Sequence, residues 1–384
     1  MDQAPIASAL SEALEAASNT RSFAPLVDGI RSALSTLGVQ VDRLQLPLWR
    51  RLGFRHPTLG MVFAEWDDER GHDATTTWTH AEMEARLAKR RAALPFADIV
   101  FKGEPYRLVC DLQAGDEPEL DVARGLRARG YRGYLVLGLP VPSGLQQMLA
   151  VCSRDPFPPD TGERLDSIRP LLGIVVYAAI RTSQALSVSQ VYIGRESGPR
   201  VLEGEIQRGS TERLEAGILF CDIRGFTALS ERVGPEEVVR IVNEVFAVVG
   251  AAAECRGGEI LKFIGDAMLL VFPVDQNRNE VARAMVDTAR ESIAGVAALD
   301  SGVQVGFGGH IGEVVQGNIG TPVRLDFTVM GPAVNLANRL EGLCKPLQVA
   351  AVFSDAVAVA DLGLHAAGPQ TVKGVATPVQ VFTL

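Results

Sequence analysis

The sequence has few cysteines and lacks both a long apolar run and a secretory signal. Its five cysteines are odd in number, widely spaced and never arranged as C-x-x-C, which argues against a disulfide framework or structural zinc site and favours a reducing compartment. The longest apolar stretch, residues 170–180, is about half of the roughly 20 residues that a membrane-spanning helix needs. The N-terminus lacks the basic segment and apolar run of a signal peptide. We therefore expect a cytoplasmic protein without a membrane span.

Basic residues are also in the minority, with 37 Lys and Arg against 46 Asp and Glu and a formal net charge of −9. This balance disfavours nucleic acids and anionic membranes as partners, because both bind basic surfaces. It does not exclude a phosphate-bearing small ligand, since a metal ion can bridge carboxylates to phosphates. The 384 residues, 47% of them hydrophobic, are enough for two or three folded domains.

The first half of the chain has strand-like segments in the middle and helical segments at both ends. Apolar residues at helical spacing predict helices over residues 5–18, 23–37, near 120–129 and from about 160 to 185. Strand-like runs occupy residues 39–48, 58–66, 106–112, 133–141 and 145–154. This element order resembles a GAF-type sensor, so we predict an α+β GAF-like sensor or regulatory domain over residues 1–185. The sequence does not identify the small-molecule or protein signal that such a domain would bind.

Three of the five histidines, His56, His72 and His80, lie in this predicted sensor. No metal-like or catalytic spacing connects them, so ordinary structural roles are favoured over a role in a ligand pocket. Residues 186–211 are polar and are predicted to be a connector helix followed by a transducing segment. A second composition shift then opens the domain predicted over residues 212–384.

The chemistry of this second domain begins in the run AGILFCDIRGFT at residues 216–227. An apolar run suited to a buried strand ends in Asp222, and Gly225 then opens the next helix. A carboxylate at a strand end can hold a metal ion while helix N-terminal amides face phosphate oxygens. Further on, EILKFIGDAMLLVFP predicts a β-hairpin with Asp266 at its tight turn. Asp266 would lie near Asp222 if the hairpin neighbours the first strand, and two such carboxylates can bind two divalent cations and a polyphosphate.

Five segments in order carry a family resemblance. They are FCDIRGFT, LKFIGDAMLLVF, GGHIGEVVQGNIG, RLDFTVMGPAVNLANRLE and VKGVATPVQVF. Together they closely resemble the catalytic domain of the class III adenylyl and guanylyl cyclases. The resemblance implies a ferredoxin-like α+β domain that works as a head-to-tail homodimer with shared active sites.

The resemblance implies that Asp222 and Asp266 bind two Mg²⁺ or Mn²⁺ ions per active site, with the Ile223 carbonyl completing one metal site. Asn335 and Arg339 are four residues apart and so share one helical face. In the family this pair comes from the partner subunit, where the asparagine orients the ribose and the arginine stabilises the transferring phosphate.

Further residues are expected to bind the nucleotide's phosphates. The backbone of Gly225, Phe226 and Thr227 corresponds to the family's triphosphate cradle, and Lys373 to its lysine on the terminal phosphates. Arg324 lies beside the position of an arginine that contacts phosphate in some members. The sequence leaves open whether Arg324 or its neighbour Val323 matches that position.

Two positions predict which base is bound. Lys262 matches the lysine that adenylyl cyclases direct at the adenine ring nitrogen, and Thr328 falls where they carry Asp or Thr to accept from the 6-amino group. Guanylyl members use Glu and Cys-like residues there, because guanine has the reverse donor and acceptor pattern. The pair therefore predicts ATP as the substrate. Pro332 replaces an Asp found in many relatives, but that Asp does not belong to the catalytic set, so activity should survive.

The leading hypothesis is an adenylate cyclase, a phosphorus–oxygen lyase that makes cyclic AMP in signal transduction and is regulated by its N-terminal domain. Two alternatives remain open, a guanylate cyclase and a catalytically silent nucleotide-binding module that signals through partner proteins. A diguanylate cyclase is disfavoured because no GG[DE]EF-like turn is present.

Overall fold

The computed structural model describes residues 4–20, 22–49, 59–71, 76–79, 85, 106–114, 121–142, 146–195, 197–204, 207–275, 277–359 and 361–384. The chain divides into two compact units, Met1–Val188 and Ser189–Leu384. The three histidines His56, His72 and His80 lie outside the described residues.

The elements of the first unit are α1 (Ala4–Thr20), α2 (Ala24–Thr36), β1 (Arg43–Trp49), β2 (Leu59–Asp67), β3 (Thr76–Thr79), β4 (Arg107–Asp111), α3 (Asp121–Ala128), β5 (Gly133–Pro140), β6 (Gln146–Ser153) and most of α4 (Thr161–Ile193). Its strands form one antiparallel sheet with the order β3-β2-β1-β6-β5-β4. The helices and strands expected here are confirmed, but α4 runs to Ile193 instead of ending near residue 185. Strand β3 was not anticipated and lies in a segment that the sequence predicts only as polar.

Side chains of β5 alternate between the two faces of the sheet and pack into two separate apolar cores. Leu135 and Leu137 face a core that also contains Leu172 of α4 and residues of α1 and α2. Tyr134 and Val136 face the opposite side and join a core with residues of α3. Because both faces of the strand are covered, β5 reads as a continuous apolar run.

Helix α4 is long and apolar enough to cross a membrane by the criteria of length and composition alone. Its residues Leu165, Ile168, Leu172 and Val176 are buried in the core of the first unit. A core helix of this kind meets the same criteria, so they are weak evidence for a membrane span.

The second unit contains a sheet with strand order β13-β14-β12-β10-β7-β9-β8, and β11 pairs with β10. Its elements are α5 (Ser197–Leu202), β7 (Thr211–Ile223), α6 (Phe226–Arg232), α7 (Pro235–Glu254), β8 (Glu259–Ile264), β9 (Ala267–Pro273), α8 (Arg278–Ala297), β10 (Val305–Thr321), β11 (Arg324–Met330), α9 (Pro332–Gly342), α10 (Cys344–Leu347), β12 (Ala351–Ser354), β13 (His365–Gln370) and β14 (Val379–Thr383). Elements β7, α7, β8, β9, α8 and β10 follow the β-α-β-β-α-β order of ferredoxin-like folds.

Helices cover both faces of this sheet. Residues of α7 and α8, including Val245 and Met285, form one core with the strands. On the other face, Ala333 and Ala337 of α9 pack with residues of β7 and β11. Helix α9 approaches β10 very closely at Gly308, where an added Cβ would lie 2.1 Å from the Glu341 amide nitrogen. Only glycine therefore fits beneath this helix.

Candidate active site

Asp222 marks the end of the central strand β7, which pairs with β10 on one side and β9 on the other. It follows a run of buried residues from Ala216 to Cys221 and is itself half-buried. In the register of β7 with β9, Asp222 lies opposite Ala267, the residue directly after Asp266. The hairpin therefore neighbours β7 as expected, and the two aspartates meet at one edge of the sheet.

The turn that presents Asp266 depends on glycine. Gly265 has a φ of 64°, in the left-handed region that side chains with a Cβ rarely adopt. Phe263 and Ile264, which precede this turn, are each about half exposed although both are large and apolar. Phe263 stacks on Phe246 of α7 with 4.7 Å between ring centroids.

The electrostatics around Asp222 favour a bound cation. Burial, a hydrogen bond with Asp266 and repulsion from Asp266 and Glu341 together raise the pKa of Asp222 to about 7. Its Oδ1 atom is buried and has no hydrogen-bond partner among the described residues. A divalent ion would satisfy this oxygen and offset the repulsion between the carboxylates. The residues at this site therefore fit such an ion.

A third carboxylate, Glu341 of α9, lies behind the pair. A Cβ on Gly306, which is opposite Asp222 in β10, would be 2.7 Å from Glu341 Oε1. Burial and the charge of Asp266 raise the pKa of Glu341, whereas the Arg224 guanidinium acts in the opposite direction. Arg224 also donates a hydrogen bond from Nη2 to the Val349 carbonyl. No pattern in the sequence singles out Glu341, which lies two residues beyond Arg339.

The expected phosphate cradle forms the turn between β7 and α6. Gly225 is the residue before α6 and has a φ of 68°, while Phe226 and Thr227 begin the helix. Thr227 is exposed, and its carbonyl accepts a hydrogen bond from Ser230 Oγ at 2.8 Å. Ile223 is buried at the end of β7, next to this turn.

The two residues expected to read the base lie on β8 and β11. Lys262 is half-buried and forms an ion pair with Asp326 of β11, a partner that the sequence did not single out. Thr328 is two residues further along β11 and also half-buried. Arg324 begins β11 and is exposed, and its backbone amide donates a hydrogen bond to Thr321 Oγ1 at 3.1 Å.

The Asn335 and Arg339 pair lies on α9, with Asn335 exposed and Arg339 half-buried. A Cβ on Gly374 would be 3.1 Å from Arg339 Nη1, so the guanidinium lies against the backbone next to Lys373. Among the residues described, no hydrogen bond or ion pair joins Asn335, Arg339 or Lys373 to either aspartate.

The orientation of α9 explains this separation. At 100° per residue, Arg339 lies about 160° around the helix from Glu341, and Asn335 about 120°. Glu341 faces the aspartates of its own chain. Asn335 and Arg339 therefore point away from those aspartates. Within one chain, the two aspartates and the Asn335 and Arg339 pair therefore form separate groups instead of one cluster.

The second unit contains two histidines, His310 and His365. The Nδ1 atom of His310 is 2.7 Å from Ser354 Oγ, and burial lowers the pKa of its ring. His365 begins β13, where its carbonyl accepts a hydrogen bond from Thr383 Oγ1 at 3.4 Å.

Comparisons with known proteins found similar sequences and structures. Residues 210–384 match the family model described as the adenylate and guanylate cyclase catalytic domain. An adenylate cyclase of Anabaena cylindrica is 40% identical over 149 residues, which are 37% of this chain and 29% of the relative. Adenylate cyclase 1 of Rhizobium meliloti is 31% identical over 209 residues, which are 52% of this chain and 31% of the relative. A solved bacterial light-regulated adenylyl cyclase is 28% identical, with 45% of this chain and 91% of that chain covered and a TM-score of 0.41.

The family match identifies the second unit as a nucleotidyl cyclase catalytic domain. Residues 210–384 belong to the adenylate and guanylate cyclase catalytic domain family, which confirms the class III resemblance. Cyclases of this class act on nucleotides, generally depend on divalent metal ions and typically form dimers. The chain spans less than a third of the length of the first curated relatives that it matches.

Proposed function

We propose that the chain is an adenylate cyclase that converts ATP to 3′,5′-cyclic AMP and pyrophosphate. The observation that carries the proposal is the pair Asp222 and Asp266 at the end of β7, with a buried carboxylate oxygen that lacks a partner among the described residues. The family membership of residues 210–384 gives this pair its chemical context.

In this proposal, Asp222, Asp266 and the Ile223 carbonyl bind two Mg²⁺ or Mn²⁺ ions. When bound there, the ions would neutralise charge and lower the pKa of the ribose 3′-hydroxyl. The 3′-oxygen forms a bond to the α-phosphorus while the bond between the α-phosphorus and the oxygen bridging to the β-phosphate breaks. Pyrophosphate leaves, and the hydroxyl proton passes to solvent. Catalysis is then mainly a matter of positioning and electrostatic stabilisation, as in other phosphoryl transfers.

Other residues of the chain orient the nucleotide. The backbone amides of Gly225, Phe226 and Thr227 bind the triphosphate, and Lys373 contacts its terminal phosphates. We also assign a phosphate contact to Arg324, which is exposed at the start of β11.

Base recognition is assigned to Lys262 and Thr328. The ammonium group donates to the adenine ring nitrogen, and the hydroxyl accepts from the 6-amino group. Guanine reverses these donor and acceptor positions and would leave both side chains unpaired, so ATP is favoured over GTP.

We further propose that two copies of the chain share each active site. Asn335 and Arg339 face away from the aspartates of their own chain, so we assign them to the partner's nucleotide. There the asparagine orients the ribose, and the arginine donates several hydrogen bonds to the transferring phosphate. The exposed Phe263 and Ile264 beside the aspartate turn are the kind of surface that a second copy would cover.

The first unit is proposed to be a GAF-like sensor in a cytoplasmic protein. Its central antiparallel sheet, with helices at both ends of the sequence segment, supports this proposal. Residues 186–211 would carry its signal to the catalytic domain, with α4 as an element that shifts or rotates between two states. An unidentified small molecule or protein would be the signal, and neither nucleic acid nor a membrane is a proposed partner.

The direct test is to incubate the purified protein with Mg²⁺ or Mn²⁺ and either ATP or GTP, and to quantify cyclic nucleotides by chromatography. We expect cyclic AMP from ATP and much less cyclic GMP from GTP. An Asp222→Ala variant is the matched control and should form neither product. Nucleotide binding without turnover under any activating condition would instead favour the silent signalling module, and preferential turnover of GTP would favour a guanylate cyclase.

A further inference from the structure

The carboxylate of Glu341 lies on the same face of the central sheet as Asp222. Asp222 of β7 is directly opposite Gly306 of β10, and residues that are directly opposite on neighbouring strands project to the same face. An added Cβ on Gly306 would lie 2.7 Å from Glu341 Oε1. Because Gly306 has no side chain, the Glu341 carboxylate occupies the space beside Asp222 that a side chain at this position would fill.

Two glycines of β10 determine this placement. Gly306 and Gly308 are two residues apart and so face the same side of the sheet, where α9 lies. A Cβ on Gly308 would lie 2.1 Å from the Glu341 amide nitrogen and 2.3 Å from the Ala337 carbonyl oxygen. The backbone of Glu341 is therefore held against β10, and its side chain extends over Gly306.

Glu341 is half-buried, and among the described residues it has no hydrogen bond or ion pair of its own. The guanidinium of Arg224 is nearby, since the same Cβ on Gly306 would lie 3.5 Å from Arg224 Nε. Arg224 donates its hydrogen bond to the Val349 carbonyl instead. Three carboxylates, those of Glu341 and the two aspartates, therefore meet one guanidinium, which leaves this part of the domain with excess negative charge.

Glu341 is not arranged as a direct metal ligand. Among the described residues, no group of three or more His, Cys, Asp and Glu side chains is placed to hold one metal ion. A charge outside the ligand set still acts on a bound ion, because Coulomb interactions in a partly buried site extend over several ångströms. Groups just outside the ligands of a metal site commonly change its affinity for the metal.

We propose that Glu341 is an outer carboxylate of the divalent-ion site, which raises the affinity of Asp222 and Asp266 for the ion without touching it. This inference rests on the metal assignment in the proposed function. Without an ion, Glu341 repels the aspartates and destabilises the folded domain. With an ion bound, the same negative charge attracts it. The carboxylate therefore lowers the stability of the metal-free domain and strengthens metal binding, and Arg224 limits both effects.

The test measures the binding of Mn²⁺ alone to the full-length protein, by electron paramagnetic resonance of the free ion. Glu341→Gln keeps the shape of the side chain and removes its charge, so we expect the Kd for Mn²⁺ to rise about tenfold. Glu341→Asp keeps the charge and should change the Kd less than about threefold. Glu313→Gln is the matched control and should leave the Kd unchanged. It alters an exposed carboxylate on β10 that pairs with Arg213 and lies about 23 Å along the strand from Gly306.

A stability measurement separates this electrostatic role from a packing role. In EDTA at pH 8, Glu341→Gln should raise the Tm because it removes the repulsion, whereas Glu313→Gln should change it little, as expected for an exposed ion pair. A packing role predicts the opposite pattern, a lower Tm and an unchanged Kd for Mn²⁺. Either an unchanged Kd or a lowered Tm in Glu341→Gln would overturn the proposal.

Neither measurement requires turnover, so the inference and the proposed function can fail separately. If Mn²⁺ binding depends on Glu341 but the wild type forms no cyclic nucleotide, the proposed function fails and the role of Glu341 stands. If the wild type is active and Asp222→Ala abolishes Mn²⁺ binding, but Glu341→Gln binds Mn²⁺ like the wild type, the role of Glu341 fails and the function stands. A wild type that binds no Mn²⁺ would overturn both the metal assignment and this inference.

Discussion

Mixing two inactive variants should restore cyclase activity if each active site is shared. Asp222→Ala removes a carboxylate assigned to the metal ions, and Arg339→Ala removes the arginine assigned to the partner's nucleotide. The proposal assigns these two residues to opposite halves of a site, in line with the position of Arg339 about 160° around α9 from the Glu341 face that meets the aspartates. A mixed dimer would therefore have one site with both lesions and one intact site.

The expected magnitude follows from counting sites. In a 1:1 co-expression, random pairing makes about half of the dimers mixed, and each mixed dimer has one intact site of two. Restored activity should then be roughly a quarter of the wild-type value per total protein. Each variant alone should fall by at least about 10²-fold, as expected when a preorganised charge-stabilising group is removed.

The assay is cyclic AMP formation by co-expressed, purified mixtures at saturating ATP and Mn²⁺. The control mixture is Asn335→Ala with Arg339→Ala, whose lesions lie in the same half-site and leave no intact site in a mixed dimer. Recovery in the first mixture alone supports the shared site. Activity that stays at the level of the separate variants, although mixed dimers form, would refute the assignment of Arg339 to the partner.

Three further predictions concern stability and regulation. In EDTA, Asp222→Asn should raise the Tm at pH 8 and change it little at pH 4. Folding raises the pKa of Asp222 from 3.8 to about 7, so the ionised carboxylate destabilises the folded protein only as the pH rises through that interval. Equal Tm shifts at both pH values would contradict this reasoning. Gly308→Ala should lower the free energy of unfolding by about 2 kcal/mol or more, because its Cβ would overlap the backbone of α9. Denaturant unfolding should show little effect for its control, Gly342→Ala, where no atom lies within 4 Å of the added Cβ. Deletion of residues 1–185 should change basal activity, dimerisation or the response to a ligand, and a truncated protein unchanged in all three would refute a regulatory role for the first unit.

The parts of the site that the sequence predicted are those set by local geometry. Asp222 was identifiable because an apolar run ends there, and Asp266 because a Gly-Asp pair stands between two strand-like runs. Their proximity depended on one further assumption, that the hairpin neighbours the first strand, and the register of β7 with β9 confirms it.

The parts that sequence reasoning missed depend on tertiary contacts. Asp326 meets Lys262 only because a bulge in β8 redirects the lysine and β11 pairs with β10. Glu341 approaches the aspartates only because α9 lies directly on β10. No sequence spacing predicts either contact. Lys262 and Asp326 are 64 positions apart, and Glu341 belongs to a different motif from the aspartates. Helix α4 is longer than expected because its last turns mix apolar residues with serine and glutamine, a pattern that fits a connector as well as a helix.

The close approach of α9 to β10 at Gly308 affects how the catalytic domain can move. At Gly308 the backbone of α9 lies directly against the backbone of β10, and no flexible side chain separates them. The helix and β10 therefore move as one stiff body, and Arg339 travels with the sheet instead of sliding over it. If two copies share each site as proposed, a signal would change the distance between Arg339 and the partner's nucleotide by turning or shifting one catalytic domain against the other.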